Sequence, residues 1–402
     1  MDLYPLQTEI ARKGSTEASV IELTDIGGPT LLRAAAKGRR IVISRAAQRE
    51  QVLEWVKLGM PNKGVYLRRL AAEAEMVVAN YALASARYHG QGQIDGLVGS
   101  QVAVAAYGEN PWQSHAGLYA SGIGDSLSLT KFKLEQGTIP SYNNYADVDR
   151  LLQTLTHIAA GFELNYKKVP YIALGAKHGN VCGVAVGNNS KQVLQRMVEG
   201  DLRAIFGGIV MTNFELNDKL AETLLTHKAE PASRRLLDAV IAPVVSKQAR
   251  SLLERRGDKC RLLTNKALAK LSGKSLDGRR RLRYVRGGWL SQANYTYILN
   301  LKDTELVKHT KLSLTQEKDL VLGWAIGSTS NSNTISLIRA GQLIGNGVGQ
   351  QDRVSAAELA INRAKAARHE IQGALAYSDS FFPFPDGPMI LAKAGVKGIL
   401  AT

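Results

Sequence analysis

The sequence predicts an α/β fold, because apolar runs typical of buried strands alternate with segments of helical periodicity over most of the chain. Buried strands are predicted at Val169–Leu174, Phe206–Met211 and Leu236–Val244. Ser190 caps a helix between the first two, and Ser246 caps the helix after the third. We therefore expect a mostly parallel sheet with helices on both sides.

Length and composition indicate a folded protein of two or three domains, since 402 residues exceed one ordinary domain. With 45% hydrophobic and 21% charged residues, the chain is not of the disordered class. No apolar run reaches the roughly 18 residues of a membrane span, and no secretory signal is visible. The two cysteines, Cys182 and Cys260, are too few for a disulfide framework or a metal cluster, so we expect a reducing cytoplasm.

The first hundred residues predict three elements in order. A turn at Asp25–Thr30 leads into a helix at Leu31–Lys37, and Ile41–Ile43 follows as a strand. Lys63–Tyr88 carries apolar residues at helical spacing and predicts a long helix that packs on the core.

Further along, the same periodicities predict the remaining elements. They are a helix at Asp147–Ala160, a core helix at Asp319–Ile326, a hairpin of Thr334–Arg339 and Gln342–Val348 around Ala340 and Gly341, a helix capped by Ser355 and running to Gln372, and a strand at Ala374–Ser378.

The pair Lys177 and His178 follows the strand predicted at Val169–Leu174 and lies among three glycines. Neighbouring residues of a strand point to opposite faces, so both side chains can address one substrate only if the chain turns there. A histidine accepts a proton near neutral pH, and a partly desolvated lysine supplies charge or a proton. The alternative is a solvated loop without chemistry.

The segment Asp379–Asp386 carries three phenylalanines and two prolines between polar ends. Such a loop is poorly suited to face solvent. It predicts either a site for a flat aromatic ligand or a plug of the core.

The formal charge of +16 raises the question of an anionic partner. Positive residues are concentrated in Arg250–Arg286, most densely at Arg279–Arg283, and aromatic residues are not interleaved with them as a stacking platform requires. We interpret the cluster as a solvated basic connection. Attraction of anionic small molecules and a nucleic-acid-binding module are the alternatives.

Six stretches together resemble one known family. They are Tyr107–Pro111, Ser141–Asn144, Gly175–Gly183, Phe206–Val210, Ser332-Asn333 followed by Gly345–Arg353, and Ser378–Asp386. In order and spacing they resemble the formyltransferase part of the AICAR transformylase/IMP cyclohydrolase family, a bifunctional enzyme of purine biosynthesis. Near the start of the chain, Leu3–Pro5, Asp25–Gly28 and Ala34–Lys37 resemble the second half of the cyclohydrolase domain.

The resemblance implies an architecture. Residues 1–94 would form a partial cyclohydrolase-like domain with a parallel sheet, and residues 95–250 the first formyltransferase subdomain. Residues 251–290 would be the basic connection, and residues 291–402 the second subdomain without its C-terminal end. Both subdomains would be cytidine-deaminase-like α/β units.

The implied reaction transfers a formyl group from the co-substrate 10-formyltetrahydrofolate to the 5-amine of AICAR, and no metal is expected. His178 would be the general base, and Lys177 would stabilise the oxyanion or protonate the leaving nitrogen. Asn333 would hold the formyl oxygen or orient His178, and Asp386 would position the folate.

The resemblance also implies binding residues. Those for the ribonucleotide are Tyr107, Asn144, Asp201 and Gly207; those for the folate are Gln350, Arg353, Phe381, Phe382 and Pro383; and Tyr4, Asp25 and Lys37 would be a remnant of the cyclohydrolase site. For Gly207 a tight turn, and for Phe382 a place in the core, are the alternatives.

Some positions depart from the family pattern. Ala106 replaces an arginine that would bind phosphate, Trp112 replaces a histidine, and Leu202 replaces a proline, while Ser328 and Thr329 replace a lysine–histidine pair. The earlier half of the cyclohydrolase domain is not matched, so we expect no cyclohydrolase activity from this chain alone.

Two functions follow from these observations. The first is a formyltransferase, working as a homodimer with shared sites and with neither a membrane nor a nucleic acid as partner. The alternative is a catalytically incomplete fragment or paralogue that acts as a ligand-binding or assembly protein.

Overall fold

A computed structural model describes residues 2–121, 124–231, 233–307, 309 and 311–402. The chain forms two compact units. Unit 1 comprises Met1–Ala103 with Tyr119–Ile123, and unit 2 comprises Val104–Leu118 with Gly124–Thr402. No helix among the described residues combines the length and the apolar character needed to span a bilayer.

Unit 1 is mainly helical where it is described. Its helices are α1 (Leu6–Ala11), α2 (Glu17–Glu22), α3 (Gly27–Lys37), α4 (Gln48–Lys57) and α5 (Lys63–His89). The strands β1 (Ser100–Val104) and β2 (Gly117–Ala120) follow, and each contains residues of both units.

The core of unit 1 confirms the two predicted helices α3 and α5. Leu32 of α3 packs with Leu70 and Ala74 of α5. The strand predicted at Ile41–Ile43 is wrong, because the structure assigns no strand there, although Val42 is buried and Ile41 is exposed. A strand needs a neighbouring strand for its ladder, which apolar alternation alone does not supply. The parallel sheet expected for residues 1–94 is accordingly absent from the described residues.

Unit 2 contains the remaining elements. They are β3 (Lys133–Gln136), α6 (Tyr142–Tyr166), β4 (Tyr171–Lys177), β5 (Asn180–Gly187), α7 (Ser190–Glu199), β6 (Gly208–Thr212), α8 (Asp218–Thr226), β7 (Leu237–Ala242), α9 (Lys247–Leu253), β8 (Arg261–Thr264), β9 (Arg280–Val285), β10 (Gly288–Ala293), α10 (Leu314–Gly327), β11 (Ile335–Arg339), β12 (Gln342–Gly347), α11 (Arg353–Ala366), β13 (Leu375–Ser378), α12 (Asp386–Lys393) and β14 (Gly398–Ala401).

In the described part of the chain, ten of these strands form one mixed sheet in the order β14-β13-β11-β12-β5-β4-β6-β7-β8-β3. The α/β class is confirmed, but the mostly parallel sheet is wrong. Only β6–β7, β7–β8 and β13–β14 are parallel pairs among the described neighbours, and the other neighbours are antiparallel.

Two tight hairpins explain the antiparallel pairs at the centre of the sheet. His178 and Gly179 connect β4 to β5 with φ of +53° and +72°, and Ala340 and Gly341 connect β11 to β12 with φ of +49° and +79°. Positive φ at both central residues is typical of a type I′ turn, which joins neighbouring antiparallel strands. The hairpin around Ala340 and Gly341 was predicted correctly, whereas the first was taken for the end of a parallel strand.

Helices cover both faces of the sheet, as expected. Side chains alternate along β4, so that Ile172 packs under α6 and α10 while Ala173 packs under α7 to α9. On the β11–β13 side, α11 and α12 cover Ile335 and Leu337. The strands of this one sheet come from residues 133–401, so both predicted formyltransferase subdomains contribute strands to it.

Two predicted helix caps shift by a few residues. Asn189 caps α7 in place of Ser190, and Asp352 caps α11 in place of Ser355. The Asp352 carboxylate accepts hydrogen bonds from both the backbone N–H and the hydroxyl of Ser355 at 2.7 Å. Helix α11 ends at Ala366, before the predicted Gln372. Ser246 is the cap of α9, as predicted.

The basic segment has more structure than a solvated connection. It contributes β8 to the main sheet, and β9 and β10 form a separate antiparallel ribbon. Across this ribbon Tyr284 lies opposite Trp289. Two aromatic side chains therefore do accompany the arginines, and the prediction that none is interleaved with them was wrong.

Candidate functional site

Most of the predicted site residues lie in loops at one edge of the ten-stranded sheet. Ala176, which precedes Lys177, pairs with Ile209, two residues after Gly207. The end of β4 and the start of β6 are therefore neighbours. Lys177 and Gly207 are brought together in this way.

The loops around β11, β12 and β13 reach the same edge. Ile335, at the start of β11, pairs with Gly347 and Ser378 at the ends of β12 and β13. Asn346 Nδ2 donates a hydrogen bond to the carbonyl of Val181, just after the His178 turn, at 3.0 Å. The loops that carry Asn333, Gln350 and the aromatic segment thus lie on the side of the sheet where β4 ends.

Lys177 is half-buried at the end of β4, and its Nζ donates to the carbonyl of Phe206 at 2.8 Å. Gly207 follows with φ of +69°, and a Cβ built there would lie 3.7 Å from Lys177 Nζ. The positive φ favours glycine at position 207, and the lack of a side chain leaves the lysine ammonium open on that side. The turn interpretation of Gly207 and its place at the site are both consistent with this geometry.

His178 is exposed at the tip of the β4–β5 hairpin. Behind it, the Asp147 carboxylate of α6 accepts a hydrogen bond from the backbone N–H of Gly179. Burial raises the pKa of Asp147, and the hydrogen bond from Gly179 and the charge of His178 oppose that rise. Asp147 was not among the residues predicted for the site; the signal available in the sequence was a carboxylate beside the apolar stripe of α6.

Asn333 is fixed against Gln350. Both its backbone N–H and its Nδ2 donate to the carbonyl of Gln350, at 3.0 and 2.9 Å, and the N–H of Gln350 donates back to the Asn333 carbonyl at 3.2 Å. The amide of Asn333 is thereby oriented, and one of its two N–H groups is left for another acceptor.

Arg353 begins α11 and lies 3.9 Å from Asp379, the first residue of the aromatic loop. Arg353 Nε and Asp379 Oδ1 are buried and have no hydrogen-bond partner in the described structure. Buried polar atoms of this kind normally find partners. A bound ligand with polar groups is one way to supply them, so the residues present suit a polar co-substrate such as a folate.

The aromatic loop divides its phenylalanines between solvent and core. Phe381 is 69% exposed, and Pro383 is exposed as well. Phe382 packs against the core under α11 and α12, and a Cβ at Gly387 would lie only 2.7 Å from its ring. Phe382 is therefore the core plug that the sequence offered as one alternative, whereas contact of Phe381 and Pro383 with a flat aromatic ligand stays a prediction. Asp386 is exposed at the first position of α12.

The predicted ribonucleotide residues on the other loops have local structural roles. Asn144 is buried and accepts from the N–H of Ser141 at 2.9 Å, in the cap of α6. The carbonyl of Tyr107 accepts from the N–H of Tyr142 at 3.0 Å, which holds the Tyr107 loop at the start of α6. Asp201 accepts from the N–H of Ala204 at 2.9 Å and so shapes the loop that leads to Gly207. Their contact with a nucleotide stays a prediction.

In unit 1, two of the three remnant residues meet. The carboxylate of Asp25 accepts from the backbone N–H groups of Gly28, at 2.6 Å, and of Tyr4, at 3.3 Å. Tyr4 also lines a cavity of about 1080 Å³. Lys37 is exposed at the last position of α3, and the structure gives it no place at that cavity.

Helix α6 links the two halves of the candidate site. Asp147 holds the turn after His178, and one helical turn later Arg150 donates to the carbonyl of Thr329, in the segment that leads to Asn333. Among the described residues, no group of three or more His, Cys, Asp or Glu side chains could hold a metal ion.

Comparisons with known proteins agree with the sequence motifs. The family described as AICARFT/IMPCHase bienzyme matches residues 35–363 of the chain. The chain is 33% identical over 413 residues to the bifunctional purine biosynthesis protein PurH of Anoxybacillus flavithermus, with all of this chain and 74% of that protein covered. It is 32% identical to the proteins of the same name from Bacillus cytotoxicus, over 411 residues, and Rhodopirellula baltica, over 412 residues, with the same coverage.

Proposed function

Because the chain belongs to the AICARFT/IMPCHase bienzyme family, we propose that it transfers a formyl group from 10-formyltetrahydrofolate to the 5-amine of AICAR. The observation that carries the proposal is the convergence of Lys177, Gly207, Asn333, Gln350 and the aromatic loop at one edge of the sheet. In α/β proteins, ligands commonly bind in such loops at strand ends. By the same resemblance the protein works as a homodimer in the cytoplasm.

The acceptor amine is a weak nucleophile, because its lone pair is delocalised into an imidazole that bears a carboxamide. Its attack on the formyl carbon therefore needs a base, for which the exposed imidazole of His178 is suited. The backbone of His178 is fixed by the Asp147 contact to Gly179. The base is thus held by its turn while its ring stays accessible.

The tetrahedral intermediate carries an oxyanion and then loses tetrahydrofolate. Lys177 is suited to stabilise that charge or to protonate the leaving nitrogen. Its ammonium group has three N–H donors, and Phe206 uses one of them. The remaining N–H of the Asn333 amide supplies a second donor for the formyl oxygen.

The folate would lie along the aromatic loop. The exposed ring of Phe381 offers a flat apolar surface, and Arg353 Nε and Asp379 Oδ1, which lack hydrogen-bond partners in the described structure, offer one donor and one acceptor nearby. Asp386 at the start of α12 and Gln350 are the other polar residues proposed to contact the folate. The 10-formyltetrahydrofolate supplies the formyl group, and the protein supplies orientation and proton transfer.

The test is to mix the purified protein with AICAR and 10-formyltetrahydrofolate and to follow tetrahydrofolate formation, with His178→Ala in parallel. Loss of the base is expected to lower kcat by about a hundredfold or more. His89→Ala removes another exposed histidine, in unit 1, and is the matched control.

Turnover in the wild type and in His89→Ala, but not in His178→Ala, would support the proposal. No turnover in the wild type, with both ligands still raising the melting temperature, would favour a ligand-binding or assembly protein instead. No response to either ligand would contradict both functions.

A further inference from the structure

Arg150 of α6 reaches into the loops around Asn333. Its Nη1 donates to the carbonyl of Thr329 and, at 3.1 Å, to Gln153 Oε1, and its Nη2 lies 3.4 Å from Asn331 Oδ1. Thr329 and Asn331 stand only four and two residues before Asn333. Arg150 therefore carries a positive charge to the segment that presents the Asn333 amide.

This charge is poorly compensated. All three acceptors that the described structure gives Arg150 are neutral. Burial lowers the pKa of Arg150, the charge of Arg281 acts in the same direction, and Asp149 opposes them. Half-burying a guanidinium without a carboxylate partner costs free energy, which a bound anion would offset.

Arg281 comes from the β9–β10 ribbon, which is anchored to the same helix. After the ribbon, the ring of Tyr295 stacks on His157 of α6 at 5.6 Å, and the Tyr295 carbonyl lies 3.1 Å from His157 Nε2. His157 stands two helical turns beyond Arg150. Arg281 is exposed and pairs across the ribbon with Gln292, three residues before Tyr295, and its charge acts on both Asp149 and Arg150.

We propose that Arg150 and Arg281 form a binding subsite for an anionic group of a substrate, a phosphate or a carboxylate, beside Asn333. The identity of that substrate rests on the proposed function: the ribonucleotide carries a phosphate, and the folate carries carboxylates. Arg150 of α6 and Arg281 of the ribbon would supply positive charge to this site. Ala106, Ser328 and Thr329, which replace basic residues of the family pattern, carry no charge.

Inorganic phosphate is the first probe, because it needs no assumption about the reaction. Its binding to the whole chain is followed by the broadening of the ³¹P resonance, for the wild type, Arg150→Gln and Arg281→Gln. Arg196→Gln is the matched control, since Arg196 is a half-buried helix arginine that donates to a backbone carbonyl, that of Arg339, elsewhere in unit 2. Arg281 is exposed on the ribbon, so its variant tests the subsite even if Arg150→Gln does not fold.

We expect the wild type and Arg196→Gln to bind phosphate alike, and Arg150→Gln and Arg281→Gln to bind it about tenfold more weakly or not at all. Equal binding by the wild type and a folded Arg150→Gln or Arg281→Gln would overturn the proposal, as would no binding by the wild type.

A second titration identifies the source of the anion. Three ligands are titrated into the wild type and the Arg281→Gln variant. They are AICAR, the corresponding riboside without the phosphate, and 10-formyltetrahydrofolate. A loss confined to AICAR assigns the subsite to the phosphate, and a loss confined to the folate assigns it to a carboxylate. Phosphate binding that depends on Arg150, in a protein without formyl transfer, would keep the subsite and reject the proposed function.

Discussion

The buried carboxylate of Asp147 accepts a hydrogen bond from the backbone N–H of Gly179, the residue directly after His178. His178 itself adopts φ of +53°, which costs a non-glycine residue about 1 kcal/mol or more. The contact from α6 stabilises this turn against that cost. It therefore couples α6, which Ser141 caps, to the position of the proposed base.

The first prediction removes the carboxylate. Asp147→Ala leaves the partly buried N–H of Gly179 without its acceptor, which we expect to cost about 1–3 kcal/mol of unfolding free energy. Asp147→Asn keeps an acceptor oxygen and is expected to recover most of that loss. Urea unfolding measures both variants, and formyl transfer should fall in kcat more than it rises in KM for Asp147→Ala. Equal stability of wild type and Asp147→Ala would contradict the contact.

The pH dependence of stability provides a second test of the same residue. Burial raises the pKa of Asp147 above its ordinary value, so the folded state holds its proton to a higher pH than the unfolded state does. The stability that comes from this proton is complete below the ordinary carboxyl pKa and is lost as pH rises through the raised value. We expect Asp147→Asn to abolish this loss of stability with rising pH, which melting temperatures across the acidic range would measure. If the melting temperature of the variant depended on pH as that of the wild type does, the raised pKa of Asp147 would be contradicted.

A third prediction concerns Gly207. Its φ is +69°, and a Cβ would make only an ordinary contact with Lys177 Nζ at 3.7 Å, so Gly207→Ala pays mainly for the backbone, about 1 kcal/mol. The added methyl lies beside the proposed catalytic ammonium, and we expect a raised KM for AICAR. Gly373→Ala is the matched control: its φ is +78°, and nothing lies within 4 Å of a Cβ there. If both variants had the same KM, Gly207 would have no role beyond the turn.

Much of unit 2 could be predicted from the sequence, because its signals are local. The cap of α9 at Ser246 and the hairpin at Ala340 and Gly341 follow from residue types at fixed spacing. The β4–β5 hairpin was missed because its first turn residue is His178, and only a minority of histidines adopt a positive φ. Without that turn, successive strands separated by helices suggested a parallel sheet.

The motifs of the candidate site could be predicted from the sequence, but the residues of α6 that hold those motifs in place could not. Lys177 and His178 stand out among glycines, whereas Asp147 and Arg150 lie within the regular pattern of α6. Their contacts to Gly179 and Thr329 are made across 32 and 179 residues of chain. Only the packing of α6 against the sheet edge reveals them, and helical periodicity contains no information about such partners.

The two cysteines give a fourth prediction. Cys182 and Cys260 are buried, and burial raises the pKa of each thiol to about 12. The thiolate is the reactive form, so both should be unreactive in the folded protein at neutral pH. We expect Ellman's reagent to find two thiols after unfolding in guanidinium and close to none before it. Rapid labelling of the folded protein would show that the cores around β5 and β8 open readily.

The last prediction separates the two neighbouring phenylalanines of the aromatic loop. Phe382 packs against the core formed by α11 and α12, so Phe382→Ala is expected to lower the unfolding free energy by about 1–3 kcal/mol. Phe381 is 69% exposed, so Phe381→Ala should leave stability within about 0.5 kcal/mol of the wild type.

If the exposed ring stacks on the folate, the same variant should weaken folate binding about fivefold to tenfold. Phe384→Ala, which removes a ring 68% exposed in the same loop, controls for a general loss of apolar surface. Fluorescence titration with the folate and denaturant unfolding of the three variants measure both quantities. Unchanged folate affinity in Phe381→Ala would mean that the ring serves another purpose, whereas a stability loss as large as that of Phe382→Ala would mean that it is buried by the folded chain.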